Sequence, residues 1–506
     1  MNQSQELLSI FDPERQQNWL EAWMSFDVSR LESLLCSEGE AFWNEIGWQR
    51  ALALFQKTAL RVPAYKDFLK KSGIDPHTIK TQNDFRKVPI MDKENYISRY
   101  SLEDCCWDGT FDQVDITAVS SGTTGEPSYW PRSGYQEFEA AVVHELLYRA
   151  FFKIQDHSTL LIIGFPMGVY VSGVATLLPT WLSTQKGYRM TVVSVGNNKM
   201  EVLKALKHLG PHYEQVLLIG HPFFVKDVLE TGVREGMRWT EYHLGLLFCS
   251  EGFTESWRDY LVAITHGAVE RHRILNLYGS SELLLMAYET PFTLSARKEF
   301  QSAPLERREV IAPSIVAQLF QYIPLFRFIE SVKDELLFTA SSGIPLIRFN
   351  LHDSGRVFFS DDVRQKFSLV PEPTWKLPTI SMWGRSDYTI IFYAANLYPE
   401  HIKPVLYESQ FVSYFTGNFT MQKGYLENQD EYLEIHVEMN PEHEPTAAVA
   451  AILQRAIVLH LKQVNMEYLF LCNHLDKDMT PRIILWPYRH ETYFKIGVKP
   501  KFIVRV

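Results

Sequence analysis

Six consecutive residues, Ser120-Ser121-Gly122-Thr123-Thr124-Gly125, carry four hydroxyls and two glycines, and Glu126-Pro127 follow them. Glycine lets backbone amides turn toward one point, and hydroxyls add donors around it, so the segment is suited to hold phosphate oxygens. No lysine follows the second glycine, which separates it from the P-loop of NTPases. A plain solvated turn has the same composition, so the loop needs support from elsewhere in the chain. A second cluster, Asn276-Leu277-Tyr278-Gly279-Ser280-Ser281-Glu282, joins a turn glycine, hydroxyls and a carboxylate after an apolar run. Three more strings of charged and turn residues follow in order. They are Arg348-Phe349-Asn350-Leu351-His352-Asp353, Gly384-Arg385-Ser386-Asp387 and Gly497-Val498-Lys499-Pro500-Lys501-Phe502.

The elements that must position these residues are partly legible. Val216-Leu217-Leu218-Ile219-Gly220 and Leu244-Gly245-Leu246-Leu247-Phe248 are short apolar runs bounded by turn residues, which predicts buried strands. Residues 223–229 and 255–263 read as helices between and after them, and this alternation predicts helix-covered, mostly parallel sheets. No Asp, Glu, Lys, Arg or His occurs from 158 to 185. Gly164, Pro166, Gly168, Gly173 and Pro179 interrupt that run, so it predicts a buried strand over 160–163, a turn and an apolar helix over 171–178 rather than a membrane span. The turn lies beside an apolar wall and is a candidate pocket lining. Residues before about 80 carry apolar positions at helical spacing. Tyr432-Leu433-Glu434-Ile435-His436-Val437-Glu438 alternates like a half-exposed strand, and Ala447–Val464 reads as an amphipathic helix. The expected fold is therefore α/β: a helical segment over 1–80, a large domain over 81–383, a connection at 384–387 and a small α+β domain over 388–506.

Composition narrows the function classes. The 506 residues are 46% hydrophobic and 22% charged, as in a globular protein. The net charge of −10 comes from interspersed acids and bases without a basic tract, which argues against nucleic acid as a partner. Five cysteines, at 36, 105, 106, 249 and 472, fit neither a zinc site nor a disulfide framework. The first residues lack a basic region and a long apolar core, so no signal peptide is expected and the chain reads as cytoplasmic.

In this order and at these separations the strings resemble the adenylate-forming superfamily. Within it, the phenylacetate–CoA ligase branch and its capsule-biosynthesis relatives are most similar, from about Trp48 to the C-terminus. Arg86-Lys87-Val88-Pro89-Ile90-Met91-Asp92-Lys93 resembles that branch's LPxxxK stretch, and Phe248-Cys249-Ser250-Glu251-Gly252-Phe253-Thr254 resembles its GxEP-type turn. Tyr388-Thr389-Ile390-Ile391-Phe392-Tyr393-Ala394-Ala395-Asn396 resembles its MLIIRGVN strand, with Tyr393 and Ala394 where that string has Arg and Gly. Residues 1–45 have no counterpart.

The resemblance implies ATP-dependent activation of a carboxylic acid as an acyl-adenylate, followed by transfer to CoA; a carrier-protein thiol or an amine are the alternative acceptors. It implies that Ser120, Ser121, Gly122, Thr123, Thr124 and Gly125 cradle the β- and γ-phosphates and that Ser281 binds the α-phosphate. Glu282 would hold Mg²⁺, a hard cation suited to carboxylate and phosphate oxygens; an ordinary helix-start glutamate is the plainer alternative. Tyr278, with Gly279 and Ser280 in its turn, would stack on adenine, and Ser250, Glu251 and Gly252 would line the adenine pocket. Asp353 would accept from the ribose hydroxyls, Arg385 would approach the ribose or the phosphate, and Asp387 would be the hinge of a mobile C-terminal lid. Lys499 and Lys501 compete for the role of the catalytic lysine. Leu351 and His352 replace a hydroxyl and a glycine of the usual RYRTGD string, and His352 reads as an exposed loop residue. The acid is expected near Phe165, Gly168, Gly173, His221, Pro222 and Phe223, an apolar and aromatic set that favours an aryl or medium-length acyl acid. No structural metal is expected. The partners implied are the small acid and, for one acceptor class, a carrier protein; a homodimer stays open.

Overall fold

The computed structural model describes residues 3–12, 18–120, 128–168, 171–313, 317–385 and 389–494. The chain divides into two compact units, one of residues 1–120 and 129–384, the other of 121–128 and 385–506.

β1 (Ile116–Ser120) and β2 (Ser128–Arg132) form a two-stranded sheet, and the larger unit holds the main one. The main sheet has eleven strands: β3 (Thr159–Ile163), β4 (Met190–Ser194), β5 (Gln215–Gly220), β6 (Leu244–Cys249), β7 (Val269–Ser280), β8 (Leu284–Tyr288), β9 (Gln318–Gln321), β10 (Phe328–Val332), β11 (Glu335–Ala340), β12 (Leu346–Phe358) and β13 (Thr379–Arg385). Their spatial order is β10-β11-β12-β13-β9-β8-β7-β6-β5-β3-β4. β4, β3, β5, β6 and β7 run parallel. Every residue of β3 and β5 is buried, as strands covered on both faces require. From β7 onward the pairings β7–β8, β8–β9, β9–β13, β10–β11 and β11–β12 are antiparallel. The expected helix-covered α/β unit is present, and the second half of its sheet turns back on itself. For the first of these pairings the cause is local: the three residues between β7 and β8 allow only a tight reversal, whereas a parallel crossover needs a dozen or more.

Helices cross between the parallel strands and begin where local chemistry starts them. Asn198 accepts from the Glu201 amide ahead of Lys199–Leu209, Pro222 takes the first position of Pro222–Arg234, and Thr254 accepts from the Trp257 amide ahead of Glu255–Ile264. The uncharged run resolves into β3 and the helix Val171–Gln185, which continues past its internal Pro179 and beyond the expected end at 178. One core cluster packs Leu161, Ile163, Leu217, Ile219, Leu247 and Leu275 of the sheet against Phe138, Val142 and Leu146 of the helix Gly134–Phe152. The N-terminal helix Glu40–Arg61 joins two clusters, giving Trp43 and Ile46 to this one and Leu54 and Phe55 to a second that contains Tyr278, Phe320 and Phe349.

The smaller unit holds a hairpin, β14 (Ile390–Phe392) and β15 (Ala395–Leu397), and a sheet of β16 (Phe415–Tyr425), β17 (Glu431–Met439) and β18 (Arg482–Trp486). β16–β17 is antiparallel and β17–β18 parallel, so the chain crosses between β17 and β18 through the helices Ala447–Val464 and Met466–His474. Leu453, Ile457 and Leu461 form the buried stripe of Ala447–Val464. Among the described residues this is the one helix long and apolar enough, by length and composition alone, to cross a membrane.

Candidate functional site

The carboxyl ends of β3, β5, β6 and β7 lie side by side, and in open α/β sheets ligands bind outside such ends. Residues 164–168, His221, 250–252 and 280–282 leave the sheet there.

β7 ends in Tyr278, Gly279 and Ser280, and the turn Ser281-Glu282-Leu283 leads into β8. Glu282 therefore sits in a strand reversal, not at a helix start. Gly279 lies at a register shift of this hairpin, and a Cβ there would stand 3.0 Å from the Leu284 carbonyl oxygen. Glu282 is 4% exposed, and its Oε1 lies 2.6 Å from Lys93 Nζ. Burial opposes ionisation of this carboxyl, but the Lys93 charge and hydrogen bond, with help from the Ser280 hydroxyl, hold its pKa below the ordinary glutamate value. Lys93 also lies over the Trp130 ring at 5.6 Å.

Lys93 arrives from a segment stitched to β12. Met91 N donates to Arg348 O at 3.3 Å, and Asn350 N donates to Met91 O at 2.7 Å. The Arg348 guanidinium donates to Arg86 O (2.7 Å) and Val88 O (2.6 Å) and pairs with Glu330 at 3.0 Å. Further along β12, Asp353 is buried and its Oδ2 accepts a hydrogen bond from the Tyr278 hydroxyl. The Tyr278 ring stacks on Phe320, centroids 5.8 Å apart. The sequence-predicted adenine and ribose residues are thus direct neighbours. His352 is neither exposed nor in a loop: it is a half-buried residue within β12, with Nδ1 3.8 Å from Glu335 Oε1.

On the neighbouring strand end, Asn276 Nδ2 donates to Glu251 O at 3.0 Å, and a Cβ on Gly252 would meet Gln318 at 2.9 Å. A buried ionic network lies beneath. Arg258 and Arg297 both pair with Glu289, which accepts from the Asn276 amide, and Arg297 donates to Phe253 O. It fixes the end of β7 and the 250–252 turn together. Four residues of these segments have left-handed backbone. Ser250, Leu284, Arg348 and His352 have φ of 84°, 56°, 49° and 64°, a region that L-residues seldom adopt and that clusters at functional sites.

The residues expected to line the acid pocket are partly brought together. His221 meets Phe165 edge-on at 5.0 Å and stacks on Phe223 at 5.5 Å. Pro222 and Phe223 open the following helix. Gly168 has φ 88°, and a Cβ on Gly173 would stand 2.3 Å from Pro166 O, which packs the helix Val171–Gln185 onto the 164–168 turn. Burial pushes the His221 pKa down to about 4, so the ring is neutral at physiological pH. Arg385 is the last residue of β13. Ser121, Gly122, Thr123, Thr124, Gly125, Asp387, Lys499 and Lys501 lie outside the described residues, and Ser120 is described by its backbone alone. Nothing in the sequence marks Arg348, Glu330 or Trp130 for this site, and the one signal for Lys93 is its place in the LPxxxK-like stretch.

No protein-family model and no curated protein matches the chain. Solved structures do. 2-Hydroxyisobutyryl-CoA ligase in complex with 2-HIB-AMP and CoA in the thioesterification state is 13% identical, over 93% of this chain and 91% of that one, with TM-score 0.65. An open conformation of the same ligase, also with 2-HIB-AMP and CoA, is 13% identical over 92% of each chain, with TM-score 0.53. At this identity the likeness establishes the fold, and the fold is the one implied by the resemblance to adenylate-forming enzymes.

Proposed function

We propose that this protein activates a carboxylic acid by adenylation and passes the acyl group to CoA. The observation that carries the reading is the hydrogen bond between Tyr278 and Asp353, with the buried Glu282 in the turn that follows Tyr278, in a fold shared with an acyl-CoA ligase. In the first step an acid oxygen attacks the α-phosphorus of ATP, the bond to the bridging oxygen breaks, and pyrophosphate leaves. In the second a thiolate attacks the acyl carbon and AMP leaves. Both steps need charge neutralisation and positioning more than proton transfer.

Tyr278 carries the adenine ring and Asp353 the ribose hydroxyls. Residues 120–125 cradle the β- and γ-phosphates, Ser281 holds the α-phosphate, and Arg385 approaches from β13. Lys499 or Lys501 brings a point charge to the acyl-phosphate oxygens, and the unit after 384 swings about Asp387. Mg²⁺, when bound, supplies positive charge to the phosphates. Glu282 fits such an ion: it offers one buried carboxylate, and no group of three or more His, Cys, Asp or Glu among the described residues could hold a metal without a substrate's help. Phe165, His221 and Phe223 give the acid an aromatic wall, which supports an aryl or medium-length acyl group, and we place the activity in the cytoplasm. The test is pyrophosphate release across a panel of acids, with product analysis with and without CoA. Aryl and medium-chain acids are expected to respond; a response confined to small polar acids or amino acids would sink the substrate assignment.

A further inference from the structure

We infer that Lys93 is a built-in counter-cation for Glu282 that a divalent metal arriving with the triphosphate displaces. The inference deepens the adenylation reading and rests on it. A carboxylate 4% exposed cannot stay ionised without a partner, and the ammonium at 2.6 Å is the cation that meets it. A Lys93 that simply locked the turn would itself be buried and fixed, as Arg348 is. Instead its side chain retains 36% of its exposure while Glu282 keeps 5%. Solvent therefore reaches the lysine of this pair while the carboxylate stays covered, so the lysine is the member that can leave when a metal on a phosphate chain arrives.

The backbone beneath Lys93 is rigid. Met91 is held by Arg348 and Asn350, and Asp92 and Asn95 bond reciprocally (Asp92 N to Asn95 Oδ1 at 3.0 Å, Asn95 N to Asp92 Oδ1 at 2.7 Å). Displacement thus needs only a swing of the flexible four-carbon stem. Trp130, 1% exposed and 5.6 Å from Nζ, offers the ammonium a second, weaker attraction close by. Ammonium and divalent ion compete for the same carboxylate, and the doubly charged ion prevails once phosphate oxygens complete its shell.

The experiment titrates Mg²⁺ against binding of a non-reactive α,β-methylene ATP analogue by calorimetry. It uses the full chain at pH 8.5, which opposes protonation of the carboxylate once Lys93 is replaced, and compares wild type, Lys93→Met and Lys93→Arg. Lys93→Met, which removes the competitor, is expected to lower the half-saturating Mg²⁺ by about tenfold, the factor carried by a competing interaction of about 1.4 kcal/mol. Lys93→Arg, with its forked donors, is expected to raise it. A merely structural lysine would give no such opposite shifts. In wild type, Mg²⁺ with the analogue should also change tryptophan fluorescence, and Trp130→Phe should remove that change. A half-saturating Mg²⁺ that is unchanged or raised in Lys93→Met overturns this inference alone. A wild-type chain that binds no nucleotide at any Mg²⁺ overturns the adenylation reading and this inference with it.

Discussion

Arg348 is the residue whose loss should damage the site most without touching a ligand. Its guanidinium is nearly buried, donates to two carbonyls of the 86–93 segment and pairs with Glu330, whose own pKa is raised by burial against the pull of Arg348. Arg348→Met leaves a mostly buried carboxylate without its cation and two carbonyls without a donor. Breaking a buried pair from one side costs about 3–5 kcal/mol. The larger unit unfolds with an entropy of about 2.1 cal/mol/K per residue, close to 0.8 kcal/mol/K over roughly 370 residues, so the midpoint should fall by about 5 °C. Glu330→Met removes the orphaned charge. Combined with Arg348→Met it should recover about 1–3 kcal/mol of coupling, while the cost of the two carbonyls remains. Thermal melts of wild type, both single variants and the double variant form the cycle. A loss under about 1 kcal/mol for Arg348→Met, or strict additivity, would refute the claim that this pair anchors the segment carrying Lys93.

Three further outcomes follow from particular geometry. Tyr393 and Ala394 make the two-residue β14–β15 turn at φ 48° and 68°, where glycine is favoured, so Ala394→Gly should stabilise the smaller unit by about 0.5–1 kcal/mol in a melt. Tyr278→Phe keeps the ring on Phe320 and removes the bond to Asp353; nucleotide affinity measured by calorimetry should fall by about tenfold. Burial lifts the Glu40 pKa to about 7, against the pull of its bond with the Ser360 amide. Because the folded-state pKa is the higher one, the favourable contribution is full below about 4.5 and is lost as pH rises through about 7. Glu40→Gln should flatten that loss and gain about 1–2 kcal/mol at pH 8, a figure discounted for partial exposure and read from melts across the range.

How much of this was legible depended on how local its cause was. The strands Gln215–Gly220 and Leu244–Cys249 and the helix Ala447–Val464 follow from apolar runs and turn residues, and they lie within one residue of the expected 216–220, 244–248 and 447–464. The reversal from β7 to β8 follows from how few residues join them, a matter of chain length that periodicity does not report. Tyr278 and Asp353 were identified separately through a resemblance; their hydrogen bond spans 75 positions and is set by the pairing of whole strands. The Lys93–Glu282 pair, across 189 positions, and the clamp of Arg348 on residues 86 and 88 are longer still, and nothing in either string marks its partner. The replacements at Leu351 and His352 predict a loop, whereas β12 runs unbroken through both with a left-handed residue at 352.

Adenylation by the residues Glu282, Tyr278 and Asp353 is open to one decisive assay, acid-dependent exchange of labelled pyrophosphate into ATP, wild type against Glu282→Gln. Wild type should exchange with at least one aryl or medium-chain acid, and the variant should lose about a hundredfold or more. Exchange that proceeds equally in Glu282→Gln, or a wild-type chain that exchanges with no acid at all, would contradict it.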